Sequence, residues 1–274
     1  MYKIRRLISA TTPPFLYVIF KKIYNNLNTY LLYKNNITKY DDFDLCSLIV
    51  QKNIIYNNNL LNSKDLNYSS IRSLYGIFLS IIQNSKDEFN IIDFGGGGGF
   101  HFFVNSFLLK SKIKFNWFIV ETESMVSSSK SINYKHLFFI NSLDNIPQNI
   151  PSIDLFFASS SFQYINNIDL IIDKIIRLKP KVIFITKTPF SLDEEVLGIK
   201  QFSKLSSNGP GPLPHGYQDT TITYPIYIVN LFKFLTKFDN IYKFEFKVLE
   251  ESNSFFINNK YYNSYGLYLT LIDN

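Results

Sequence analysis

One cysteine, Cys46, in a chain of 274 residues excludes an intramolecular disulfide and suits a reducing compartment such as the cytoplasm. Long apolar runs are missing too, and none approaches the roughly 20 residues of a membrane-spanning helix. The apolar run at residues 15–20 follows Pro13 and Pro14, ends at Lys21 and Lys22, and has no small-residue cleavage pattern behind it, so a secretory signal is not expected. Acidic residues are absent before Asp41, whereas Lys3, Arg5, Arg6, Lys21, Lys22, Lys34 and Lys39 are interleaved with aromatics. A helix of that composition can make peripheral contact with an anionic membrane surface, its cations snorkelling. The alternative, which we favour, is a helix packed on the domain or on a partner subunit. Overall, 28 basic against 22 acidic residues make the protein mildly basic, compatible with an anionic ligand or surface; neither a nucleic-acid partner nor a metal is expected. Asn, Ile, Lys, Phe and Tyr are abundant along the whole chain, which reads as codon bias rather than as a functional signal.

What the sequence does have is a run of five glycines. An apolar stretch, Ile91-Ile92-Asp93-Phe94, enters Gly95 to Gly99 and leaves through Phe100-His101 into a helical pattern. Glycine takes positive φ freely and leaves backbone bare for a ligand, so five in a row point to a cofactor loop. A flexible linker would not be flanked by a buried-type strand and an apolar helix. The dinucleotide fingerprint needs Gly at i, i+2 and i+5, and the registers starting at Gly95, Gly96 and Gly97 put Phe100, His101 and Phe102 in third place. What fits is Asp-x-Gly-x-Gly-x-Gly, with Asp93, Gly95, Gly97 and Gly99. It resembles the first motif of S-adenosylmethionine-dependent methyltransferases.

Around that motif strand and helix patterns alternate, which argues for a parallel sheet with helices on both faces. Strands are expected at 90–94, 115–121, 136–140, 153–159 and 181–186. Helices are expected at about 100–109 and around 170–178. Before the first strand, Ile71, Leu74, Tyr75, Phe78, Leu79 and Ile82 recur at helical spacing and read as a core stripe, while residues 41–66 give only weak, Asn-broken signals. Glu121, leaving the end of the second strand, is placed to accept from a ribose diol, with Glu123 as its competitor. The turn after strand three would pass the adenine, making Ser142 and Leu143 candidate cofactor contacts. The end of strand four should face the acceptor, where Gln163 and Tyr164 can shape its pocket.

The apolar helix ending at Leu178-Lys179-Pro180 before a strand, with the preceding features, resembles a class I methyltransferase core. A more detailed similarity is to a methyltransferase family associated with surface-polysaccharide biosynthesis. It is carried by Asp93-Phe94-Gly95-Gly96, Trp117-Phe118-Ile119-Val120-Glu121, Phe162-Gln163-Tyr164, Thr188-Pro189-Phe190 and Tyr224-Pro225, and spans about residues 70–235. That family has an acidic-basic pair before Thr-Pro-Phe, where this chain has Thr186-Lys187. The resemblance implies S-adenosyl-L-methionine as cofactor and a small-molecule or glycolipid acceptor.

The segment from 190 to 224 reads as a long Gly- and Pro-rich loop, suited to covering an acceptor site. It holds His215, the first candidate for a general base, since imidazole titrates near neutrality. His101, in the first turn after the glycines, is the second. The tail is expected to form a helix over 226–237 and two strands, 242–248 and 265–272. The expected fold is therefore α/β: a doubly wound, Rossmann-like sheet of seven strands, mostly parallel with the last antiparallel. Residues 1–66 would form an N-terminal helical extension and 67–274 the methyltransferase domain. The expected activity is O-methylation of a sugar or glycolipid intermediate. The alternative is a non-catalytic scaffold that keeps the cofactor fold, and a nicotinamide-dependent oxidoreductase stands third.

Overall fold

The structure, a computed structural model, describes residues 42–64, 66, 68–84, 88–109, 113–193, 196–250, 255–257 and 260–272. The basic N-terminal stretch, on which the membrane expectation rests, lies outside them. No helix among the described residues is long and apolar enough to cross a membrane.

The elements run α1 (Phe43–Ser63), α2 (Tyr68–Asn84), β1 (Glu88–Phe94), α3 (Phe100–Leu109), β2 (Lys114–Val120), α4 (Glu123–Ser128), β3 (Leu137–Ile140), β4 (Leu155–Ser159), α5 (Ile168–Leu178), β5 (Val182–Ser191), β6 (Val196–Lys204), β7 (Thr221–Asn230), α6 (Leu231–Thr236), β8 (Tyr242–Leu249), β9 (Phe255–Ile257), β10 (Lys260–Tyr262) and β11 (Ser264–Leu271). The main sheet has the order β3-β2-β1-β4-β5-β11-β8. Its first five strands pair in parallel, and β11 lies antiparallel between β5 and β8. This is the expected Rossmann-like sheet, with strand order reversing beside β1.

The central strands are buried on both faces, which is why they read as unbroken apolar runs. Their residues still alternate. Ile91, Trp117, Ile119, Leu155 and Phe157 face a layer containing Cys46, Ile49, Ile77 and Phe102 from α1, α2 and α3. Ile92, Phe156, Ala158 and Ile183 face Ile172 and Ile175 of α5 and Phe234 of α6. By the same parity Asp93 points into the first layer, where an unpaired carboxylate would be costly.

Several elements differ from expectation. Residues 43–63, weak as a signal, form a continuous helix N-capped by Asp42, whose side chain accepts from the amides of Asp44 and Leu45 at 3.0 and 3.1 Å. Its buried face includes Lys52, Asn53 and Asn57 beside Leu45, Ile49 and Leu60, so polar residues break the apolar period although the helix is firmly in the core. In α2 the inward face is Leu74, Gly76, Ile77 and Ser80, while Tyr75, Phe78 and Ile82 of the expected stripe are exposed. Gly76 lies against the ring of Phe184, which a Cβ would meet at 2.2 Å, so the helix approaches the sheet on its smallest residue. Finally, β5 runs on to Ser191, and part of the long segment after it is a hairpin: β6 pairs antiparallel with β7, and β7 pairs with β5 at Phe190 and Ser191. The helix expected at 226–237 shrinks to α6, because Ile222, Tyr224, Ile226 and Ile228 are buried at a period of two, as in a strand.

Three buried tyrosines tie the fold to pH. Tyr242 donates to the carbonyl of Pro180 at 2.9 Å and Tyr268 to Oε1 of Gln83 at 3.0 Å. Burial pushes the phenols of Tyr224 and Tyr242 up, and that of Tyr268 up to about 12. A phenol whose pKa is higher folded than unfolded contributes stability that is complete below the unfolded value of about 10 and is lost as pH climbs through the folded value. Urea midpoints should therefore fall between about pH 10 and 12, and Tyr268→Phe should flatten that fall. A variant with the wild-type slope would show that Tyr268 does not carry it.

Candidate active site

The carboxyl ends of β1, β2 and β4 open into a cavity of about 1110 Å³, walled on other sides by α1 and by the β6–β7 hairpin with its loop. Pockets for a single small ligand span about 300–1,000 Å³, so this one has room for a nucleoside and a second molecule. Its floor is the glycine loop. Positive φ falls on alternate residues, Gly95 (73°), Gly97 (57°) and Gly99 (91°), the set picked out by spacing. Gly96 and Gly98 are bare for steric reasons: a Cβ would meet the Asp93 carboxyl at 2.6 Å in one case and the Asn53 amide at 3.0 Å in the other.

Register puts the loop beside Glu121. Phe94 pairs with Val120, Gly95 donates to the Val120 carbonyl at 2.9 Å, and the two chains leave adjacent strands together. Glu121 then reaches back: Oε1 accepts from the Gly97 amide at 2.9 Å and Oε2 from the Thr122 amide at 3.1 Å. A carboxylate has about four acceptor positions, so these two bonds fix its orientation without exhausting it. Glu121 lines the cavity, whereas Glu123 opens α4 and does not. Ser142 and Leu143 line the same side, and Ser142 caps the turn at Leu143–Asn145. Beyond them the Lys174 ammonium, hydrogen-bonded to Asp144, holds that carboxyl below its ordinary value.

Asp93 does not reach the cavity. It is fully buried, and its Oδ2 accepts from Trp117 Nε1 at 3.1 Å and lies 3.0 Å from Nδ1 of His101. His101 does line the cavity, its ring edge-on to Phe157 with centroids 4.8 Å apart. His215 is exposed and outside the cavity. Gln163 sits behind the wall, donating to Ser160 Oγ at 2.9 Å, while Tyr164 faces the cavity.

In the far half of the cavity Tyr164, expected on the acceptor side, meets Tyr224 and two groups that a reading of local pattern did not find, Gln201 and Ser203. The Tyr164 hydroxyl donates to Gln201 at 3.4 Å, Ser203 and Tyr224 share a hydrogen bond of 2.8 Å, and the Tyr164 and Tyr224 rings meet edge-on at 5.3 Å. Ser160 (φ 58°), just past β4, and Lys187 (φ 54°), where β5 runs on beyond its pairing with β4, both take left-handed conformations at its rim. Such strain persists only where the surroundings enforce it. At Lys187 they do: Glu250, arriving from beyond β8, accepts from the Lys187 amide and from the Thr186 hydroxyl. A carboxylate thus stands beside Thr186-Lys187 although the local sequence supplies none.

No family model matches the sequence, and no curated protein matches it. Among solved structures the chain is similar to an S-adenosylmethionine-dependent methyltransferase from Clostridium acetobutylicum, with 14% identity, 78% of this chain and 96% of that one covered, and a TM-score of 0.48. It is similar to magnesium protoporphyrin IX methyltransferase from Synechocystis with bound S-adenosylmethionine, at 10% identity, coverage of 90% and 91%, and a TM-score of 0.43. A third is an S-adenosylmethionine-dependent methyltransferase from Methanosarcina mazei, at 12% identity, coverage of 71% and 98%, and a TM-score of 0.44. The likeness is one of fold.

The roof of the cavity hangs on Lys52. Its ammonium, fully buried on α1, shares its three hydrogens among the carbonyls of Leu205, Ser206, Asn208 and Gly209, at 3.2 Å and 2.9 Å for the first two. Burial lowers its pKa, and the nearby charge of Asp219 raises it in part. Gly211 completes the joint, since a Cβ there would meet the Lys52 carbonyl oxygen at 2.5 Å. Asn208 carries the clamp onward, donating to Ser203 at 2.9 Å and accepting from Tyr224 at 3.3 Å. Lys52→Met should strand these carbonyls and lower unfolding free energy by about 3 kcal/mol in urea titrations, with faster proteolysis near 205–211. Unchanged stability would mean that the loop holds itself.

Proposed function

We propose that this chain is an S-adenosyl-L-methionine-dependent methyltransferase acting on a hydroxyl of a sugar or glycolipid intermediate, of the kind used in building surface polysaccharide. The observation that carries the reading is the pinned glycine loop: Gly97 is held by the carboxylate that also lines the cavity, so bare glycine backbone and an oriented acceptor border one space with room for a nucleoside and a second molecule. Glu121 would hold the ribose, and Leu143 and Ser142 would border the adenine. Asn53 fits the methionine end. It lines the cavity, is buried against Gly98, and its Oδ1 has no hydrogen-bond partner among the described residues, an acceptor suited to an ammonium group.

When bound, the sulfonium supplies an activated methyl group. The protein's part is mostly to hold the acceptor in line and exclude water, the positional effect that dominates such displacements. For a sugar, two tyrosine rings offer faces for its C–H surface while Gln201, Ser203, Ser160 and the tyrosine hydroxyls offer partners for its hydroxyls.

S-adenosylhomocysteine should raise the melting temperature of the wild-type protein and NAD should not; stabilisation by NAD alone would overturn the reading. Glu121→Ala should stay folded and bind S-adenosylhomocysteine about 100-fold more weakly by calorimetry, from loss of two charge-assisted hydrogen bonds. An unchanged dissociation constant would remove Glu121 from the site.

A further inference from the structure

We infer that His101 is the general base of this site and that Asp93, from beneath the glycine loop, is the residue that makes it one. The inference rests on the methyltransferase reading above and goes further, because it assigns the proton.

Geometry fixes the roles. Among the described residues Nδ1 of His101 faces Asp93, with Oδ2 at 3.0 Å and Oδ1 at 3.3 Å. The same Oδ2 accepts from Trp117 Nε1, a group that can only donate. An ionised carboxylate can only accept, so the nitrogen facing it is the one that carries hydrogen, and in the neutral imidazole this leaves Nε2 with its lone pair. The ring cannot easily turn to exchange the two nitrogens. It is wedged between Phe100, at 5.3 Å, and Phe157, at 4.8 Å, and its side chain is only 13% exposed. The histidine lines the cavity while the aspartate does not, so the acceptor nitrogen is the part available to a ligand.

Asp93 also explains features that a cofactor ligand would not. A carboxylate meeting the methionine end would need to face the cavity, but this one has no exposure and lies under Gly96, whose missing side chain makes room for it. Its carboxyl oxygens face Trp117 of β2 and His101 of α3 rather than the cavity. That is the arrangement of a positioning carboxylate, which sets tautomer and ring orientation without touching substrate.

In the step, the acceptor oxygen forms its bond to the methyl carbon as the methyl–sulfur bond breaks, with the electron pair remaining on sulfur. The hydroxyl proton passes to Nε2 of His101. Acceptor, cofactor and neutral imidazole thus become methyl ether, S-adenosylhomocysteine and imidazolium, and the imidazolium is stabilised by Asp93.

The test is the tautomer, read by nitrogen-15 NMR of the full chain at mildly alkaline pH. Only three histidines are present, and a His101→Gln variant assigns the signal. Wild-type His101 should show a protonated Nδ1 and an unprotonated Nε2, and S-adenosylhomocysteine should shift Nε2. In Asp93→Asn the amide oxygen can still accept from Trp117 while its NH₂ donates to Nδ1, so the proton should move to Nε2. A wild-type Nε2 that already carries the proton would overturn the base assignment whether or not Asp93→Asn folds. An unchanged tautomer in a folded Asp93→Asn would remove Asp93 as the positioning residue. His101→Gln should bind S-adenosylhomocysteine within a few-fold of wild type, and a collapse of affinity would make His101 a cofactor ligand instead. Failure of the wild-type protein to bind S-adenosylhomocysteine would sink the methyltransferase reading, and the base with it.

Discussion

A carboxylate with no access to solvent, at the end of the central strand, sets the terms for everything above it. Burying Asp93 is tolerable only if hydrogen bonds replace its water. Trp117 on β2 supplies one and His101 at the start of α3 faces it, so the pairing of β1 with β2 and the seating of α3 are joined at one point. The chain must cross directly over this carboxylate, which is possible only where Gly96 has no side chain. The glycine run is thus shaped from below as well as from above: from below by Asp93 and Asn53, from above by a cavity that needs bare backbone.

Lys52 answers the opposite problem with the same physics. An ammonium has three donors and no acceptor, and in the core it is surrounded by backbone carbonyls that a loop leaves unpaired. Each would be costly alone; together they satisfy one another. The consequence is mechanical. Helix α1 supplies Ile49 and Asn53 to the cavity wall and, through Lys52, fixes the loop that roofs the cavity. The helix preceding the sheet is therefore a wall of the site and not merely an extension beside it.

How much of this was legible in the sequence follows from the range of the interactions. The β1 strand, the alternate glycines and Glu121 could be read because each depends on neighbours a few residues away or on one strand-to-strand register. Helix α1 was hidden because its buried face includes Lys52, Asn53 and Asn57, which interrupt the apolar period that marks a helix. The β6–β7 hairpin was hidden because the Gly- and Pro-rich stretch at 208–216 signals a loop while the flanking strands signal weakly. Only the later part of β7, from Ile226, reads as helix, since its apolar residues run on into those of α6. Glu250 had no local signal at all. Its place beside Thr186 and Lys187 depends on β11 returning between β5 and β8.

The division between the two halves of the cavity has a structural basis. Glycine loop, Glu121 and the turn after β3 come with the parallel sheet, and any chain of this strand order presents its loops there. The far half belongs to a hairpin that pairs with β5 only at its last two residues, so it can vary without disturbing the sheet. Within it, Tyr224 lies directly opposite Gln201, and Ser203 is two residues along the same strand, so all three side chains share one face. A slip of one residue between β6 and β7 would turn Gln201 and Ser203 away from Tyr224. Register is what the polar links protect. Asn208, held at its carbonyl by Lys52, ties Ser203 to Tyr224 across the hairpin, so a buried ammonium on α1 sets which hydroxyls face that half of the cavity.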